Sequence, residues 1–298
     1  MYRFIKRTGI FSLVSVFILL GPPYLNSPLD RNGPYLDVYH RLDLQNNQSE
    51  IIFVGSSTLA FGLQEEQLLD QDIDFISIGA HAGVGPSYSL GLMNMIDNAE
   101  NQMVILSPVP AWLFNPNESP ELPKVIAHSG MSLAEAIQSY GLAVSLLAKT
   151  QSFVDRFKWF SMYPKRSIEM KEFQWSCDIF TSRGVIKSEC KQKSIFQSKS
   201  VSGQLETDTS KSLDVEFWMD KKQQCTHVLP PPMRQTEFNK TLEQALQDLC
   251  ELNQWPLLLE MNEVVFPDSL FCDKSHLNAN GSVLYTEQVA AAIKRIRN

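Results

Sequence analysis

Basic charge is scarce in this sequence. Lys and Arg number 26 against 33 Asp and Glu, giving a formal net charge of −7. A nucleic-acid surface needs a basic patch to neutralise phosphates, so this balance argues against a nucleic-acid partner. Blocks of like charge long enough to form an interaction tail are missing as well. So are the short motifs of several enzyme classes: there is no His-Glu-x-x-His, no Gly-x-Ser-x-Gly elbow and no phosphate-cradling Gly-rich loop. Gly83-Val-Gly85 lacks the third glycine of a dinucleotide fingerprint, and Cys225-Thr-His227 is too short for a metal site. The residues therefore point to no metal and no cofactor. No internal repeat is apparent, and 298 residues at 44% hydrophobic content suffice for one large α/β domain or two small ones.

What is present is organised around Ile51–Gly62 (I-I-F-V-G-S-S-T-L-A-F-G). Ile51 to Val54 form a short continuous apolar run, as expected of a parallel strand buried on both faces. Gly55 allows a tight turn, and Ser56, Ser57 and Thr58 stand where a helix begins. Hydroxyls suit that position as caps. The carboxyl end of a central strand is also where open α/β sheets bind ligands. Capping is the plainer reading of this stretch alone.

A second stretch, Asp273-Lys-Ser-His276, changes the balance. A serine hydroxyl needs a base within hydrogen-bond reach to act as a nucleophile, and the base needs a carboxylate to orient it. A loop with Asp and His three residues apart supplies both groups. Gly55-Ser-Ser57 resembles the first block of the SGNH (GDSL-type) hydrolase superfamily, and Asp273-x-x-His276 resembles its last block. The chain order Ser, Asp, His matches, as does one terminal helix after the His. The resemblance covers about 51–113 and 236–298. It implies a three-layer α/β/α sandwich with a mostly parallel sheet, and a triad of Ser57, His276 and Asp273. In the same pattern the N–H groups of Ser57 and Gly79 form the oxyanion hole, though a turn glycine is an equal reading of position 79 taken alone. His81, close by, reads as a solvated loop histidine.

Two departures from the superfamily stand out. Ser56 replaces the Asp of Gly-Asp-Ser, and no Gly-x-Asn-Asp follows the third strand. Ser107, Asn115 and Asn117 lie near enough to substitute, and none matches the motif. Both departures fit membrane-anchored Gly-Ser-Ser members, which include the D-alanyl-lipoteichoic-acid transfer protein and, more loosely, the alginate O-acetylation proteins.

Between and around these blocks the elements follow in order. Helical patterning covers 63–69, 87–96, 133–147 and 282–296, and Thr236 is placed to cap a helix carrying Phe238, Leu242, Ala245, Leu246 and Leu249 on one face. Strands are expected at 73–78, 103–106 and 256–260, the last feeding the Asp273 loop. A long insertion occupies about 115–233 and has no counterpart in the resemblance. Within it, Phe153, Phe157, Trp159, Phe160 and Tyr163 read as core rather than as a sugar platform. Lys187–Ser212, rich in Lys, Ser and Gln, reads as a mobile surface loop.

The first 25 residues look like a targeting element. Arg3, Lys6 and Arg7 precede an apolar run from Gly9 to Leu20 that ends at Gly21-Pro22-Pro23. With no small-x-small cleavage site, an uncleaved signal anchor is the first reading, a cleaved signal peptide the second and a buried core helix the third. The first two export the rest of the chain, with a polar connector over 26–50 leading into an SGNH-like domain over 51–298. In an exported chain five cysteines allow disulfides, Cys177–Cys190 being a reasonable local pair, with one thiol left over. Asn47, Asn117 and Asn239 sit in N-glycosylation sequons, which matter only in a eukaryotic secretory route.

The expectation is an exported serine esterase or O-acyltransferase, anchored in the membrane by its N-terminal segment. What the anchored relatives imply is an acylated cell-surface glycan as substrate and, for transfer, a multi-pass membrane acyltransferase as partner. The competing expectation is a non-catalytic binding or assembly subunit using the same groove, which the missing Gly-x-Asn-Asp favours and the intact Asp-x-x-His opposes.

Overall fold

The computed structural model describes residues 49–80, 85–96, 102–114, 122–152, 181–187, 213–219, 226–238 and 240–297, with a few isolated positions outside these runs. Ile51–Ser56 forms strand β1, buried along its whole length, and so can only be a central strand. It is flanked by β2 (Phe75–Ala80) and β3 (Met103–Ser107), both parallel to it. A two-residue β4 (His227–Val228) extends the sheet beyond β3, giving the order β2-β1-β3-β4, parallel throughout. A separate parallel pair joins β5 (Met233–Arg234) to β6 (Val265–Phe266). The chain is thus an α/β protein whose sheet is parallel, with helices supplying the crossovers.

The helices are α1 (Ser57–Gly62), α2 (Glu65–Leu69), α3 (Pro86–Met93), α4 (Pro110–Phe114), α5 (Leu122–His128), α6 (Leu133–Tyr140), α7 (142–152), α8 (Val215–Met219), α9 (Lys240–Asn253) and α10 (Ala279–Arg297). α10 packs on α1 so closely that a Cβ on Gly62 would sit 2.9 Å from the Tyr285 ring. α1 stops there because Leu63 turns extended. The next N–H, of Gln64, then donates to Thr286 Oγ1 of α10 at 2.9 Å.

Several expected elements are redrawn. The helix expected at 63–69 is confined to α2, Glu65–Leu69, and a separate helix, α1, begins at Ser57, within the expected start at Ser56–Thr58. The helix expected over 133–147 breaks at Gly141, whose φ of +81 and ψ of 165 are open essentially to glycine alone, and resumes as α7. The segment 256–260 is not a full strand. Val228 N–H donates to Pro256 O and Leu258 N–H to Val228 O, which makes a single parallel bridge at Leu257 before the chain turns away. Thr236 does not cap α9; its hydroxyl donates to the Asp268 carboxylate, at 3.0 Å to the nearer oxygen. The closing helix starts earlier than 282, with Asn278 Oδ1 accepting the Gly281 N–H at 3.0 Å.

The described parts of the 115–233 insertion include elements that join the sheet. They supply β4, and the Thr181–Lys187 segment straps the outer edge of β2. Ser77 N–H donates to Arg183 O at 2.7 Å, Arg183 Nη1 donates to Phe75 O at 2.6 Å, and the same guanidinium pairs with Asp74. Such a strap covers an otherwise open strand edge.

The expected anchor except Gly9 and Ser12, the connector up to Gln48 except Arg41 and Leu42, the aromatic stretch, the loop beyond Lys187, His81, Asn115, the sequon asparagines and the Cys177–Cys190 pair lie outside the described residues. Among the described residues no helix is long and apolar enough to cross a membrane. Cys250 is a free, buried thiol, and burial pushes its pKa up to about 12, so it stays protonated.

Candidate active site

The two serines after Gly55 take different parts. Ser56 is fully buried and is the N-cap of α1; its Oγ accepts the Thr58 N–H at 3.2 Å and lies 2.7 Å from Thr58 Oγ1. Ser57 opens the helix, and its Oγ lies 3.0 Å from His276 Nε2. Gly55 lies within β1 and not in the expected tight turn; close approach to β3 leaves no space for a side chain there, where a Cβ would lie 2.8 Å from Ser107 O.

His276 comes from a loop closed on itself. Cys272 N–H donates to His276 O at 2.8 Å, and Phe271 bridges Leu277. Inside it, Asp273 Oδ1 accepts the N–H groups of Ser275 at 2.8 Å and His276 at 2.9 Å, an Asx-type turn that local sequence alone can build. The Asp273 carboxylate also receives His276 Nδ1, at 2.8 Å to Oδ2 and 3.0 Å to Oδ1. The tautomer with its proton on Nδ1 satisfies both sides of the ring: Nδ1–H donates to Asp273, and Nε2 accepts from the Ser57 hydroxyl. Burial alone would raise the Asp273 pKa. The His276 hydrogen bond and charge and the two backbone N–H donors outweigh it and hold the carboxyl at about 2.

The structure therefore brings together Ser57, His276 and Asp273, which the sequence placed 219 residues apart at its two ends. Gly79 lies within β2 opposite Gly55, where a Cβ would stand 2.8 Å from Ser56 O. Close packing against the Ser56 carbonyl is reason enough for a glycine there, and because β2 runs to Ala80 this glycine lies inside the strand and not after its end as expected. Ser107 is fully buried at the end of β3. Among the described residues no group of three or more His, Cys, Asp or Glu could hold a metal ion.

One neighbour was not singled out in the sequence. Phe61, one helical turn beyond Ser57, sets its ring 4.5 Å from the His276 ring, centroid to centroid, at an angle of 44°. Its i, i+4 relation to Ser57 is the only sequence signal, and it means nothing until His276 is known to sit above that face. No protein-family model, curated protein or solved structure matches the chain.

Proposed function

We propose that the protein is a serine esterase or O-acyltransferase with an SGNH-type three-layer α/β/α domain, tethered to a membrane by its N-terminal segment. The observation that carries this reading is the continuous hydrogen-bonded line Ser57 Oγ–His276 Nε2, His276 Nδ1–Asp273. A buried cap explains Ser56 completely, whereas nothing in the folding of α1 requires Ser57 to face a histidine held by a carboxylate.

In this mechanism Ser57 Oγ attacks an acyl carbonyl while His276 Nε2 takes its proton. Asp273 keeps the ring in the Nδ1–H tautomer and stabilises the imidazolium. In this reading the Ser57 and Gly79 N–H groups are assigned as the donors to the developing oxyanion. The first N–H groups of a helix have no intrahelical acceptor, which suits Ser57 to that task. Collapse expels the alcohol, protonated by His276, and leaves an acyl-Ser57. Water then completes hydrolysis, or an acceptor hydroxyl completes transfer, His276 again acting as base. The substrate implied by the anchored Gly-Ser-Ser members is an acyl ester, acetyl first among them, of a cell-surface glycan. Transfer is favoured over hydrolysis, because the tether holds the site near nascent glycan and the insertion offers material for an acceptor site. A multi-pass membrane acyltransferase is the natural acyl donor.

A fluorophosphonate probe tests the assignment. It is expected to label the wild type and Ser56→Ala but not Ser57→Ala, and turnover of a small acetyl ester is expected to fall by about 10³-fold or more in Ser57→Ala and His276→Ala. Labelling that survives Ser57→Ala, or no labelling of any variant, moves the protein to a non-catalytic binding subunit. With candidate glycans present, slow acetate release and acetyl captured on the glycan mark a transferase, and fast release indifferent to glycan marks a plain esterase.

A further inference from the structure

Two hydrogen bonds do not by themselves fix an imidazole. The contacts of His276 with Asp273 at Nδ1 and with Ser57 at Nε2 lie at opposite ends of one line through the ring. Rotation about that line tilts the ring and misaligns the lone pair that must receive the Ser57 proton. A third contact, off the line, is needed to stop it. The Asp273–Ser275 loop meets the ring at Nδ1, through the Asp273 carboxylate and Ser275 Oγ, on the line itself.

We infer that Phe61 is a positioning residue for His276, braced by Ile186 of the insertion. Phe61 meets the imidazole off that line, with centroids 4.5 Å apart. Ser57 and Phe61 share a face of α1, so one rigid turn holds both the nucleophile and the brace of its base. The brace is itself held. Phe61 is 3% exposed and forms a small apolar cluster with Ala60 and Ile186, separate from the main core. The Ile186 N–H donates to Ala60 O at 3.0 Å, tying the Thr181–Lys187 strap directly to α1. The strap is anchored in turn on β2 by Arg183 and by the Arg183 O to Ser77 N–H bond. A segment of the insertion thus sets the orientation of the base through Phe61 without touching any reacting atom.

This inference rests on the proposed triad, and its test is built to separate the two. Phe61→Leu removes the ring, Phe61→Met fills the space without one, and Phe61→Tyr keeps it. The second-order rate of fluorophosphonate labelling at Ser57 is expected to fall about 10- to 100-fold in Phe61→Leu and Phe61→Met, and to stay within about threefold of wild type in Phe61→Tyr. With a small acetyl ester the loss is expected in kcat and not in KM. In parallel, the ¹⁵N imidazole resonances of His276 are expected to move in the ringless variants and to hold in Phe61→Tyr. Wild-type labelling in whichever ringless variant folds overturns the inference, as does a Phe61→Tyr protein that is folded and equally slow. If the wild type itself does not label, the catalytic reading falls and the resonances decide: unchanged His276 signals in the ringless variants overturn positioning, and displaced signals restored by Phe61→Tyr sustain it.

Discussion

Asp273 keeps its charge at the edge of solvent, its side chain 40% exposed, because three donors converge on it. Its pKa is held at about 2 in the folded protein, below the roughly 3.9 of a free Asp. A depressed carboxyl stabilises the fold above its unfolded pKa and loses that contribution as pH falls through the folded one. The stability difference between wild type and Asp273→Asn, read as urea midpoints, is therefore expected to be full at pH 6 and to shrink between about pH 4 and pH 2. A difference that is flat over that range would show that the donors do not favour the charged form. Ser56→Ala belongs at the same scale. It removes a cap at a cost of about 1 kcal/mol while leaving Ser57 and its partner in place.

At the scale of elements, the insertion strap makes the sharpest claim. Gly184 has φ +83, and a Cβ on it would lie 2.1 Å from Ser77 O. Gly184→Ala should therefore destabilise the protein by about 1–3 kcal/mol, seen as a lower urea midpoint, by lifting the strap from β2. Wild-type stability in that variant would mean that the strap is not seated on the sheet. Neither this strap nor β4 was legible in the sequence. A two-residue strand has no periodicity to read, and Val185 and Ile186 are apolar residues whose burial depends wholly on what lies across from them. The strands β1, β2 and β3 were legible, because parallel strands covered on both faces must be apolar runs. The site divided in the same way. The Gly-Ser-Ser stretch and the Asx-type Asp-x-x-His loop are local devices and announce themselves, whereas Phe61 acquires its place only from a partner 215 positions further along. Thr236 was misread as a helix cap because Asp268, remote in sequence, offers its hydroxyl a charged acceptor.

At the scale of the whole molecule, the prediction concerns attachment. Arg3, Lys6 and Arg7 stand before an apolar run with no cleavage-like site after it, so the N-terminal segment is expected to stay on the protein and hold it at the membrane. Intact mass and membrane fractionation decide this; a mature chain beginning near Tyr24 in the soluble exported fraction would sink the anchor. The separation of 219 positions between Ser57 and His276 carries a further consequence for a chain made from its N-terminus. The Ser57 turn emerges early, but His276 arrives much later, and α10, which follows it, must dock on α1 before Gln64 and Gly62 are in place. Until that loop is made, Ser57 lacks the His276 partner that the folded chain gives it. On the proposed reading, a product ending before His276 is expected to be inert towards the fluorophosphonate probe, however well its earlier elements fold.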